Sequence, residues 1–280
     1  MRQEHNMSDA QAYLLGYRQA EQERLERQAL ELADESKWLF DQVDVREGWR
    51  VVEVGCGPQG CLGLLSERVG PAGHVLGLEV SAELAQRAIG FVAAHKLSNV
   101  EVRHVDARST GLAPGSFDLA TARLVLVNVP QPQKLLAEMV RLVAPGGFVA
   151  LHEPDASFQR CEPPHPAQTR LVALLERCAQ LNGIDRSIGL QVPRMLREAE
   201  LVDVQVHPFI HAYPPRHSRR LLLLDFVQNT RQRLLDLGLS TDSELDELVA
   251  ALRRHLEDPD TLVLSSLFLQ AWGRVPKQDA

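Results

Sequence analysis

The 280-residue chain is short of lysine, cysteine and aromatic residues, and each shortage excludes something. Four lysines stand beside 26 arginines and 37 acids, leaving a net charge of −7 without the basic excess that a nucleic-acid partner normally requires. The bias toward arginine fits a high-GC bacterial coding preference rather than a function. Four cysteines, at 56, 61, 161 and 178, show no paired metal spacing, and ten histidines include no His-Glu-x-x-His pattern. A zinc site is therefore not expected, and reduced thiols in a cytoplasm fit best. No apolar run reaches the roughly 18 residues that a membrane span needs, and the polar first 40 residues hold no signal-peptide core. The expectation is a cytoplasmic protein with no membrane partner.

What is present is enough apolar material, 45% of residues, to bury a full core in one elaborated domain. The most informative stretch runs Val51-Val52-Glu53-Val54-Gly55-Cys56-Gly57-Pro58-Gln59-Gly60, a buried strand ending in a glycine-rich turn. In an open parallel α/β sheet, ligands bind at the carboxyl ends of the strands. Gly55-x-Gly57-x-x-Gly60 also fits a dinucleotide fingerprint, and Glu79 follows the last glycine by 19 residues at the end of a second apolar strand, Gly73–Glu79. The glycines alone leave two cofactor classes open. A pyrophosphate wants backbone amides and no nearby carboxylate. The ammonium and sulfonium of S-adenosylmethionine would instead be stabilised by Glu53, and Pro58 removes one amide that a phosphate would use.

With those residues the chain resembles the class I S-adenosylmethionine-dependent methyltransferases. Glu53 to Gly60, with Cys56 inside the turn, match the first motif of that family. Glu79, followed by Val80, matches the acid after strand two, and Asp106-Ala107 match the acid-plus-small pair set against the adenine. Phe117-Asp118-Leu119-Ala120 match the start of strand four, and Pro145-Gly146-Gly147 the turn before strand five. The resemblance implies a doubly wound, Rossmann-like, seven-stranded sheet whose last strand is antiparallel, with N-terminal helices and a helical insertion before that strand. It also implies S-adenosyl-L-methionine as cofactor, held by Glu53, Gly55, Cys56, Gly57, Glu79, Val80, Asp106 and Ala107. Arg123, near the end of strand four, is expected to face Glu53 or the methionine carboxylate, or else to form a structural ion pair.

Strands and helices alternate from Arg50 to Gly147, as such a sheet demands. Ser8-Asp9-Ala10-Gln11 has the form of a capping box, and Leu25, Ala29 and Leu32 follow at helical spacing. Residues 1–44 are expected as a helical lid, with Tyr17 reaching the methionine end of the cofactor and Tyr13 on the same face. The methyltransferase domain then covers 45–280, with helical caps at about 156–195 and 214–261. Phe148–His152 reads as strand five, residues 166–182 as a helix, and Leu201–Phe209 with Leu262–Arg274 as an antiparallel hairpin. Thr241-Asp242-Ser243-Glu244 caps a helix. The helix before it, carrying Leu221–Leu224, Phe226 and Val227, has so much apolar surface that it must cover the active end of the sheet or pair with a second subunit, leaving a homodimer open.

Methyl transfer asks little of acid–base groups, but a hydroxyl or carbon acceptor needs a base. Glu153, expected to leave the end of strand five, and His211, after strand six, are the candidate catalytic residues, with His152 and His217 as weaker ones. Asn128 is read as lying near substrate or capping a helix. Thr121-Ala122-Arg123-Leu124 lacks the Asn/Asp-Pro-Pro-aromatic motif of base-amino methyltransferases, and no acid set suggests a catechol-type metal. The reading is a metal-independent enzyme that methylates O, N or C of a small, fairly apolar metabolite, of the quinone-precursor or secondary-metabolite kind. Its rivals are a protein of the same fold that binds S-adenosylmethionine without transferring methyl, by catalysing a cyclisation or rearrangement or only binding ligand, and a nicotinamide-dependent dehydrogenase.

Overall fold

The computed structural model describes residues 19–277. Tyr13, Tyr17 and the capping box at Ser8 lie outside them. The chain opens with helices α1 (Gln19–Glu31) and α2 (Ala33–Val43), then enters the sheet through β1 (Arg50–Val54). There follow α3 (Leu62–Val69), β2 (His74–Glu79), α4 (Ala82–Ala94), β3 (Val100–His104), β4 (Phe117–Arg123), α5 (Pro132–Leu142) and β5 (Val143–Asp155). Beyond these come β6 (Arg160–Glu162), α6 (Pro166–Leu181), α7 (Val192–Glu198), β7 (Val202–Phe209) and β8 (Ala212–Tyr213). The last elements are α8 (Leu222–Asp236), α9 (Asp242–Glu257), β9 (Leu262–Leu264) and β10 (Leu267–Arg274).

The main sheet has the order β3-β2-β1-β4-β5-β10-β7, with β10 antiparallel to both neighbours and the first five strands parallel. This is the expected methyltransferase sheet. Val51, Val52 and Val54 are all but inaccessible, because a central parallel strand is covered by helices on both faces. Local signals place the helices: the Ser81 hydroxyl accepts from the Leu84 N–H at 3.4 Å at the head of α4, and the Thr241 hydroxyl from the Glu244 N–H at 3.2 Å at the head of α9.

Two expectations change. Leu262–Arg274 is not one strand: it breaks at Ser265-Ser266, and β9 joins β6 and β8 in a second, three-stranded sheet. The break is held by reciprocal bonds, Ser265 N–H to the His211 carbonyl and His211 N–H to the Ser265 hydroxyl, each 2.9 Å. β10 still pairs antiparallel with β7, with residues 210–266 inserted between the two strands. Strand five also runs further than expected, so Glu153, Pro154 and Asp155 still pair with β10 instead of leaving the sheet.

The cap has a core of its own. Leu171, Leu174 and Leu175 of α6 meet Leu223, Leu224, Val227 and Leu234 of α8 and Leu245, Leu252 and Leu256 of α9. A second face of α8, Leu222, Phe226 and Thr230 at successive four-residue steps, turns toward the carboxyl end of the sheet and lines a cavity there. The apolar surplus of this helix thus finds its partners inside the chain.

Candidate active site

A cavity of about 290 Å³ lies at the carboxyl ends of β1, β2, β4 and β5. Its floor is the glycine turn after β1. A Cβ at Gly60, where φ is +46°, would stand 2.6 Å from the Glu53 carboxylate and 2.7 Å from the Cys56 carbonyl, so only glycine fits. At Gly57 a Cβ would meet no protein atom within 4 Å and would project into open space that a ligand can use.

Three acids line this floor. Glu53 is buried under the turn, and both its oxygens accept the Cys61 N–H, at 2.8 and 3.0 Å. Burial pushes its carboxyl up to about 7, against the pull of Arg123 and of the Cys61 bond. Glu79 accepts the Gly57 N–H at 2.9 Å and the Ser81 N–H at 2.8 Å, tying the first turn to the second strand; burial raises its pKa. Asp106 is gripped by the Arg108 guanidinium and backbone N–H, which hold its pKa below the usual carboxylate range.

Gly55, Cys56, Gly57, Val80, Ala107 and Arg123 line the same cavity. Every expected cofactor residue among the described ones is therefore gathered there. Arg123 forms no ion pair with a carboxylate among the described residues. It donates to the Ser36 hydroxyl at 2.8 Å, to the Leu32 carbonyl at 3.4 Å and to the Gly60 carbonyl at 3.2 Å, bracing α2 against the turn.

The two candidate bases do not line the cavity. Side chains alternate along β5, so Pro154 faces the space while Glu153 points the other way. The Glu153 carboxylate accepts the N–H groups of Val125 (2.9 Å), Leu126 (2.8 Å) and Val127 (3.1 Å), and burial pushes it up to about 7. It shapes the segment after β4 from behind. His211 lies 3.1 Å from the Glu35 carboxylate of α2. His152 is buried edge-on against Phe209 and Phe268, its pKa driven well below the ordinary value by burial. His217 caps a turn through the Arg219 N–H. Asn128 does line the cavity, while its amide donates to the Leu124 carbonyl at 2.8 Å.

The opposite wall is drawn from segments expected as lid and caps, but the sequence does not single out Arg24, Gln28, Arg186 and Arg219 in it as site residues. Arg24, Leu25, Gln28 and Ala29 of α1 close one side, and Leu175, Ile184, Arg186, Arg219, Leu222, Phe226 and Thr230 of the cap close the other. Leu25 and Ala29 at helical spacing and the apolar excess around Leu222 and Phe226 were the legible signals. Helix α1 is fastened to both halves: Gln59 donates to the Glu26 carbonyl at 2.9 Å, Gln22 bonds Glu83, Asn229 donates to Glu21 at 2.8 Å, and Arg219 pairs with Glu31. Among the described residues no three His, Cys, Asp or Glu side chains are placed to hold a metal ion, and no helix is long and apolar enough to cross a membrane.

Comparison with known proteins agrees with this geometry. Residues 52–151, from β1 to β5, match the methyltransferase domain family. A demethylmenaquinone methyltransferase of Geobacillus kaustophilus is 30% identical over 201 residues, covering 65% of this chain and 84% of that protein. The nocamycin O-methyltransferase of Saccharothrix syringae is 34% identical over 116 residues, 41% of each chain. Among solved structures, a methyltransferase-like protein of Bacillus halodurans superposes with a TM-score of 0.57 at 17% identity, over 85% of this chain and 97% of that one. The chain belongs to the class I S-adenosylmethionine-dependent methyltransferases. It spans only 41–61% of the length of three of the curated relatives it matches, the nocamycin enzyme among them.

Proposed function

We propose that the protein moves the methyl group of S-adenosylmethionine to an oxygen, nitrogen or carbon of a small, fairly apolar metabolite, without a metal. The observation that carries this reading is the single cavity in which the glycine turn, Glu53, Glu79 and Asp106 meet an apolar-walled chamber. The space left open above Gly57 and the three acids suit a cationic nucleoside ligand better than a pyrophosphate. The related nocamycin O-methyltransferase and demethylmenaquinone methyltransferase support a small acceptor of the secondary-metabolite or quinone kind.

In this reading Glu53 faces the ammonium, Glu79 accepts the ribose hydroxyls through lone pairs its backbone bonds leave free, and Asp106 with Val80 and Ala107 holds the adenine. Gly55, Cys56 and Gly57 offer close backbone approach, and Arg123 keeps the turn in place. Tyr17, from the lid segment, is proposed to reach the methionine end. The cofactor supplies an activated methyl group with a neutral leaving group. The chain supplies position: Val125 and Val127, set by Glu153, and Phe226 from the cap confine the acceptor and exclude water. Such alignment is worth up to about 7–11 kcal/mol of barrier. Glu153 is a positioning residue here, and His211 serves through α2 rather than by touching substrate.

Titration calorimetry with S-adenosylmethionine, S-adenosylhomocysteine and NAD, with Asp106→Ala as control, tests the cofactor. The first two are expected to bind and NAD not to; binding of NAD alone would sink the proposal. A second reading, ligand binding or cyclisation without methyl transfer, is favoured by one observation, that neither Glu153 nor His211 lines the cavity. Labelled methyl appearing in an acceptor decides between the two.

A further inference from the structure

The acids that line the cavity, Glu53, Glu79 and Asp106, all belong to its floor. Its acceptor side carries Arg24, Arg186 and Arg219 and, among the described residues, no acid. Two of these arginines are neutralised inside the chain. Arg24 is paired with Glu21 at 2.5 Å, and Arg219 with Glu31. Arg186 is different.

Arg186 sits in the link between α6 and α7, and that link is firmly held. The Ala156 N–H, just beyond β5, donates to the Arg186 carbonyl at 3.0 Å. The neighbouring Asp185 carboxylate is spent locally, accepting the Ser187 N–H at 2.8 Å and the Gln191 amide. Just beyond, Gly189 packs so closely on the end of β5 that a Cβ would stand 2.8 Å from the Glu153 and Pro154 carbonyls. The backbone of Arg186 is thus anchored to the strand end on which an acceptor would rest.

The side chain lies deep among protein atoms yet keeps accessible surface, and it lines the cavity, so the surface it keeps faces that space. Among the described residues no carboxylate forms an ion pair with it, and no hydrogen bond from its guanidinium is made to protein. Glu176 acts on it only at a distance, and its guanidinium lies 5.9 Å from the centre of the Phe226 ring, which the Arg24 guanidinium also approaches, at 5.4 Å. An arginine does not escape desolvation by losing its proton, and a buried cation without a partner is costly. A fork of N–H donors beside an aromatic face fits a planar anion attached to an apolar body.

We propose that Arg186 is the acceptor-binding residue for a carboxylate, so that the substrate is a small aromatic or otherwise apolar carboxylic acid lying against Phe226. This rests on the methyltransferase reading for the identity of the neighbouring ligand, not for the existence of the subsite. A carboxylate is favoured over a phosphate because a single fork without an ion-pair partner, set beside an aromatic ring, matches a single, planar negative charge. An anionic acceptor would also balance the cationic ligand expected over the floor acids.

The test uses the full chain, with and without S-adenosylhomocysteine, titrated with 1-naphthoate and with its neutral isostere 1-naphthamide. The acid is expected to bind at least about tenfold more tightly than the amide. Arg186→Met removes that preference while S-adenosylhomocysteine affinity stays within about twofold, and Arg186→Lys retains part of it, since a point charge keeps attraction but loses the fork. Thermal unfolding of both variants checks the fold. Absence of acid binding in the native chain, equal binding of acid and amide, or an undiminished preference in Arg186→Met overturns the proposal. So does an equal loss of S-adenosylhomocysteine and acid, which would assign Arg186 to the cofactor. Failure of S-adenosylhomocysteine to bind the native chain, with the acid preference intact, would instead sink the methyltransferase reading.

Discussion

The floor and the roof of the cavity are built from different materials. The floor is backbone, bent at glycines and locked by buried acids that accept its N–H groups. The roof is side chains on helices α1, α6 and α8; the Arg219–Glu31 ion pair ties α1 to the turn before α8, and α6 and α8 share a separate apolar core. A backbone site tolerates no side chain where the chain packs on itself, as at Gly60, but asks little of the ligand beyond shape and charge. A side-chain site can be re-specified residue by residue without disturbing the sheet below, so in the proposed function the floor sets the class of cofactor and the roof the acceptor.

The comparison breaks most visibly at Gly60. Gly60→Val would place a branched side chain against the Glu53 carboxylate and the Cys56 carbonyl at a φ that β-branched residues avoid. S-adenosylhomocysteine affinity is expected to fall by about a hundredfold or more, measured by calorimetry beside far-ultraviolet circular dichroism; near-native binding would show that the turn is not the cradle.

Glu53 gives a smaller and pH-dependent effect. It faces Arg123 from β4 and the Cys61 N–H and the Cys56 and Cys61 thiols from the turn. Its folded pKa, about 7, lies above the ordinary carboxylate value, so its contribution to the stability of the unliganded protein is complete below about pH 4.5 and is lost as pH rises through 7. A cationic ligand prefers the ionised acid, so affinity for S-adenosylmethionine is expected to move the other way. It should climb from pH 5.5 to 7.5, by up to about tenfold per unit below 7 for one linked proton, and then level off. Glu53→Gln should flatten this profile and lower affinity roughly tenfold; a profile unchanged in the variant would show that Glu53 is not the titrating group.

The roof yields the smallest change in cofactor affinity. Phe226→Ala removes a ring between Arg24 and Arg186 that lines the acceptor side. S-adenosylhomocysteine should bind within about twofold of the native chain, while kcat/KM for any acceptor found with labelled methyl drops about tenfold or more. A large loss of cofactor affinity instead would merge floor and roof into one unit.

This division also explains what the sequence disclosed. The glycines, Glu53 and Glu79 are read from spacing, because a tight turn after a strand needs glycine at set positions and the two acids stand at strand ends, whereas Asp106 and Ala107 come only from the family resemblance. The roof is assembled from residues far apart in the chain; the apolar faces holding Ala29 and Phe226 were legible as covering surfaces, but no local pattern announces that Arg186 will meet them. Glu153 shows a subtler failure. Its position at the end of strand five was legible, but the strand continues by pairing with β10, and one residue of extra strand decides whether a side chain faces ligand or protein. Leu262–Arg274 misled similarly, since its apolar pattern is continuous and only the serine pair marks where it changes sheet.

The placement of β10 has a consequence for how the molecule assembles. It is hydrogen-bonded on one side to β5 and on the other to β7, yet both of those strands precede it in the chain by a long excursion, residues 156–266 after β5 and 210–266 after β7. Until β10 inserts between them, each presents an open edge, the kind of surface that recruits foreign strands. The excursion carries α8 and α9 and joins α6 in a core of its own, and a segment that folds back on itself brings its ends together at less entropic cost than a slack loop of equal length. The cap's own core thus holds the two ends of this excursion near the place where the last strand enters the middle of the sheet.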